Sequence, residues 1–104
     1  MGERLTINWA YDFFAYESLT VGAAVKALTE SIYAPSGQRC ATRAILTLED
    51  DQVRYRSDGT DPTSSEGHLL TPLDVLIVEG PQAIKNLRLT RVTGDAKIRI
   101  SYQR

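Results

Sequence analysis

Two side chains here have the chemistry of nucleophilic catalysis, and each type occurs once: Cys40 and His68. A thiol nucleophile needs a base to take its proton, and His68 is the sole imidazole available. That pairing is a remote option. A buried structural thiol is the preferred reading of Cys40, which has no second cysteine to form an intrachain disulfide. Asp58, Asp61, Glu66 and His68 offer the donor types of a metal site. Their spacing matches neither a calcium loop nor a zinc motif. Turn chemistry accounts for both aspartates. Asp58-Gly59 is the strongest local turn signal in the chain, and Asp61 precedes Pro62. There the carboxylate can bond nearby backbone donors while proline fixes φ. No glycine-rich phosphate loop, nucleophile elbow or pair of catalytic carboxylates occurs. The expectation is a protein that is not an enzyme and that needs no metal or cofactor.

The chain has 104 residues, a formal net charge of −1 and 42% hydrophobic residues. This length makes one domain, able to bury over ~60% of its unfolded surface without disulfide or metal support. Its charge balance argues against nucleic acid, which binds basic surfaces by counterion release. No apolar run is long enough for a signal peptide or a spanning helix, so no membrane partner is expected and folding in a reducing cytoplasm is. Nine arginines against three lysines mildly favour a protein partner, because the planar guanidinium pairs bidentately with carboxylates. Arg54 and Arg56 fall on one exposed strand face, with Arg43 placed near them across a hairpin. Arg88 and Arg99 are placed opposite one another in the last hairpin.

The elements read as short strands arranged around one turn-rich stretch, residues 53–70 (VRYRSDGTDPTSSEGHLL). Gly59 and Gly67 give this stretch its freedom of φ, Pro62 stiffens it, and Thr63, Ser64 and Ser65 can satisfy backbone groups. Before it, residues 39–49 alternate cleanly as a strand, and Asp50-Asp51 reads as a hairpin turn into Val53–Arg56. After it, Thr71–Asp74 reads as a turn. Val75–Val78 reads as a strand covered on both faces, and Pro81–Asn86 as a helical turn with Ile84 inward. Leu87–Arg91 reads as a strand with a bulge at Val92, Thr93–Asp95 as a hairpin turn, and Ala96–Tyr102 as a strand with one wet face. Tyr55 and Tyr102 fall on dry faces.

The first third is less regular. Residues 4–16 alternate and crowd five aromatics, Trp9, Tyr11, Phe13, Phe14 and Tyr16. Two readings stay open: a strand buried on both sides, or an aromatic-rich arm (residues 1–16) that docks on a neighbouring subunit. Residues 20–32 suit either a helix capped by Thr20 or, preferred here, a strand at 23–30. The sum is seven to eight short strands in one all-β domain over 1–104, an antiparallel β-sandwich, jelly-roll-like.

The pattern from Arg43 to Glu49, then RYR-x-DGT-x-PT at Arg54–Thr63, Gly67–Leu69, Asp74–Gly80, Asn86–Arg88 and Ile98–Tyr102, resembles a group of small structural proteins of tailed bacteriophages. The resemblance covers residues 39–104. It implies a virion component, and for this size a capsid decoration (cement) protein assembled in the host cytoplasm onto the capsid surface. Its partners would be the major capsid protein and itself, as a homodimer or homotrimer. A tail or baseplate component is the alternative within the virion. The RYR-x-DGT-x-PT run also resembles a turn in small β-sandwich modules appended to glycan-degrading enzymes, so a glycan-binding module, using Tyr55, Trp9 or Tyr102, is the other alternative.

Overall fold

The computed structural model describes residues 12–104. Its topology is a nested hairpin. The innermost pair joins β4 (Val53–Arg56) to β5 (His68–Leu70). Around it β3 (Arg43–Leu48) pairs with β6 (Val75–Glu79). Next β2 (Lys26–Ala27) pairs with β7 (Arg88–Arg91), and outermost β1 (Phe13–Val21) pairs with β8 (Ala96–Gln103). Every pairing is antiparallel. Successive pairs fall on alternate sheets, giving the orders β1-β8-β3-β6 and β2-β7-β4-β5. This is a jelly roll, the double-sheet arrangement that leaves few long edges. The turn-rich stretch 57–67 forms the tip of the hairpin.

Alternation drives the burial. In β3, Ala44, Leu46 and Leu48 turn inward; in β8, Ala96, Ile98, Ile100 and Tyr102 do. Val53, Leu70 and Leu89 meet them from the other sheet. Two short helices close the ends: α1 (Glu30–Tyr33) buries Tyr33 and α2 (Pro81–Asn86) buries Ile84. Pro81 opens α2, where a missing N–H costs nothing.

Several expectations change. The link Asp50-Asp51 is a corner and not a hairpin turn, because β3 and β4 lie in different sheets. Each aspartate stabilises it: Asp50 Oδ1 accepts the Lys97 N–H at 2.8 Å, and Asp51 Oδ1 accepts the Gln52 N–H at 2.9 Å. Thr93–Asp95 likewise crosses between sheets, from β7 to β8. Arg91 pairs with Asp95 at 2.5 Å there, and a Cβ on Gly94 would sit 2.2 Å from Asp51 Oδ2. Arg43 is therefore on the other sheet from Arg54 and Arg56. Arg88 faces Ala27 and Arg56, and Arg99 faces Ser18 and Thr47. The proposed Arg88–Arg99 pairing does not occur.

The strand at 23–30 shrinks to Lys26–Ala27, and a helical turn starts at Glu30, with Thr29 as its N-cap in place of Thr20. Residues 17–21 instead extend β1, which starts at Phe13; the part of the first predicted strand before Asp12 lies outside the described residues. The bulge lies between Phe13 and Ala15, and Val92 is simply past the end of β7. β6 is an edge strand with one wet face, so Val75 and Ile77 are exposed where coverage on both sides was expected. Cys40 is half-buried.

Candidate functional site

Sheet β1-β8-β3-β6 presents an outer face four strands wide. Register places Tyr16, Ser101, Ile45 and Ile77 in one row across it, and Ser18, Arg99, Thr47 and Val75 in the next. Arg99 lies over the middle of this face. Its guanidinium bonds Glu49 through Nε at 3.0 Å and Nη2 at 3.2 Å, and Ser18 Oγ through Nη1 at 2.6 Å. The bond to Glu49 holds the guanidinium above its ordinary pKa. At one end of the face Phe13 is 62% exposed and Tyr16 58%. Phe14, displaced by the bulge, is part-buried, with the Arg104 guanidinium 4.1 Å above its ring. Of the five aromatics of the proposed arm, Phe13 and Tyr16 are thus exposed, Phe14 packs into the domain, and Trp9 and Tyr11 lie outside the described residues.

The open side of the sheet is apolar. Leu73 is 86% exposed, Val75 59% and Ile77 47%. Leu73 has φ +77°, the left-handed region that bulky side chains avoid. Hydrogen bonds hold it there. Thr71 donates from N–H (2.9 Å) and Oγ1 (3.1 Å) to Asp74 Oδ2, and the Leu73 N–H donates to Leu48 O at 2.8 Å. The Asp74 O accepts from the Leu48 N–H at 3.2 Å. A left-handed non-glycine residue costs of order 1–3 kcal/mol and persists only where the surrounding bonds fix it.

The hairpin tip is built from its own arginines. Arg54 donates to Gly67 O at 3.1 Å and Ser64 O at 3.4 Å. Arg56 holds Asp58 through two bonds, at 2.6 and 3.2 Å, and Asp58 also accepts the Thr60 N–H. The bond from Arg56, then that from Thr60, holds the Asp58 carboxyl below its usual range. Gly59 and Gly67 have φ +85° and +133°, and Pro62 is buried beneath the loop. The Asp61 carboxylate, assigned a backbone-bonding role, makes no hydrogen bond among the described residues. His68 stacks on Tyr55 with ring centroids 5.2 Å apart. Among the described residues no three His, Cys, Asp or Glu side chains converge on an ion.

One buried polar cluster had no counterpart in the sequence reading. Glu17 is 7% exposed and accepts from Tyr102 Oη at 2.5 Å, Thr29 Oγ1 at 2.7 Å and Thr29 N–H at 3.1 Å. Tyr33 lies beside it, its ring 6.0 Å from that of Tyr102. Burial, then the bond to Glu17, raises the Tyr102 phenol far above its ordinary pKa. The signal was present: Glu17 shares parity with Leu19 and Val21, an acid in an inward row. Tyr102 is wholly buried and so cannot stack on a sugar, which removes one of the three rings named for glycan binding.

No protein-family model, no curated protein and no solved structure matches this chain.

Proposed function

We propose that this protein is a structural component of a tailed-bacteriophage virion, a capsid decoration protein that binds the expanded head shell and stabilises it. The observation that carries the reading is the outer face of sheet β1-β8-β3-β6. Phe13 and Tyr16 stand exposed there, Tyr16 in one row with the half-buried Ile45, beside a fixed Arg99–Glu49 pair. Such a face suits broad contact with another protein: aromatic anchors, a charged group already held in place, and a rigid sheet behind them. The residue pattern over 39–104 supplies the virion setting. The jelly roll is compatible, since capsid proteins use it, though fold alone carries no function.

The partners are the major capsid protein and further copies of this chain, whose symmetric association suits a symmetric shell. The mechanism is mechanical. Contacts available only on the assembled shell stabilise it by mass action, about 2.7 kcal/mol per site at a free concentration a hundredfold above Kd. Arg54 and Arg56, assigned to the interface from sequence, act here by keeping the hairpin tip in shape.

The test is to add purified protein to expanded heads that lack it and pellet the heads. Saturation at a fixed number of copies per head, with a raised temperature of head disruption, is expected. Protein that stays in the supernatant at micromolar concentration contradicts the reading.

A further inference from the structure

We propose that β6 is the strand through which two copies associate: their β6 edges pair antiparallel about a two-fold axis at Ile77, fusing two four-stranded sheets into one of eight. This deepens the self-association above, rests on it, and names its surface.

β6 ends its sheet, and among the described residues no strand pairs with its far side. The ladder fixes which groups are open. The Asp74 O accepts from Leu48 N–H, and the Gly80 N–H donates to Thr42 O, so the even-numbered residues of this segment face β3. In an antiparallel ladder the alternate residues face away, which leaves the N–H and C=O of Val75, Ile77 and Glu79 at the open edge. The usual guards of an edge are charged side chains, lysine above all, proline, a bulge, brevity or a covering segment. Within Val75–Glu79 the one charged side chain is Glu79, at the strand's last residue, and there is no lysine, proline or bulge. The other edges are guarded: β2 has two residues, β5 has three, and β1 carries the bulge at Phe14.

The strand is complementary to itself. With Ile77 opposite Ile77, Val75 of one copy faces Glu79 of the other. The two Glu79 carboxylates lie at opposite ends of the pairing, so no like charges oppose. Leu76 and Val78 continue the inner face of each sheet, and on the outer side the two Ile77 side chains meet at the axis, flanked at each end by a Val75–Glu79 pair. The left-handed backbone at Leu73 displays an apolar side chain just before the pairing strand.

Light scattering during size exclusion of the native chain should give about twice the 11.5 kDa chain mass. Ile77→Lys, which sets two ammonium groups against each other, should raise the dimer dissociation constant at least ~10-fold with an unchanged far-UV spectrum. Should that variant fail to fold, cysteine pairing decides. In a Cys40→Ala background, Ile77→Cys should cross-link under mild oxidation, because facing Cα atoms in such a pair sit about 5.5 Å apart. Val75→Cys, on the same edge but opposite Glu79, should not. A monomeric native protein overturns self-association and the edge together. A trimer, a dimer that Ile77→Lys leaves intact, or equal cross-linking of both cysteine variants overturns the edge alone.

Discussion

Glu17 sits in the inward row of β1 with three hydrogen bonds on its carboxylate, and it ties three elements together: β1, the start of α1 through Thr29, and β8 through Tyr102. Tyr102→Phe keeps the ring and its contact with Tyr33 while removing one bond to a charged acceptor. The expected loss is about 1.5–3 kcal/mol in urea unfolding, since bonds to charged groups exceed neutral ones. The pH dependence follows from the same bond. The folded phenol has its pKa raised above the ordinary 10.0, so the unfolded chain releases this proton first. Its stabilisation is complete below about pH 10 and falls as pH rises above that. Urea midpoints at about pH 8 and pH 11 should separate for the native chain more than for Tyr102→Phe. At the tip, a Cβ on Gly67 would meet Pro62 Cβ and the Tyr55 O at 3.1 Å, at φ +133°. Gly67→Ala should therefore cost more than ~1 kcal/mol and lower the melting temperature by several degrees. Asp58, Gly59, Pro62 and Gly67 were legible as turn residues because their chemistry is local. Glu17 was not, because the meaning of its parity depends on β1 continuing past Tyr16.

Among the elements, β6 shows what alternation can and cannot reveal. Val75–Val78 is continuously apolar, and in a soluble strand that pattern normally means two covered faces. The structure gives it one covered face and an open edge, so the excess apolarity is free for a partner. The turn before it makes a sharp prediction. Leu73→Gly relieves the left-handed strain, so chemical unfolding of the monomer should show unchanged or higher stability, by up to ~1 kcal/mol, while association weakens. Lower monomer stability would mean the Leu73 side chain supports the fold. Strand positions were readable from period-two patterning in β3, β4 and β8, but their partners were not. A corner between sheets and a hairpin within one present the same polar residues, as Asp50-Asp51 and Thr93–Asp95 show. The aromatic arm also divides by element. Phe13–Tyr16 belong to β1 and pair with β8, so deleting residues 1–16 would damage the sandwich, whereas a chain starting at Asp12 tests the segment alone. That truncated chain should bind heads more weakly; full binding would assign the contact to β1 and not to the residues before it.

At the scale of the molecule, the nested hairpin explains why one turn-rich stretch organises the chain. Among the described residues, each of the strands β1 to β4 finds a partner after residue 67, in reverse order, and the two sheets arise from folding that long ladder over itself. The all-β class and approximate strand number were legible because each strand announces itself locally; the sheet order is a property of the whole ladder. The resulting body offers a broad outer sheet face and, among the described residues, an open β6 edge, the surfaces on which the proposed function rests. The central claim is that those surfaces meet a phage head. The proposed function is tested most directly by electron microscopy of tailed-phage particles assembled with this protein present and gold-labelled at its C-terminus. The account predicts label distributed over the head in regular array and absent from procapsids. Label confined to the tail or baseplate, or virions without label, would contradict it.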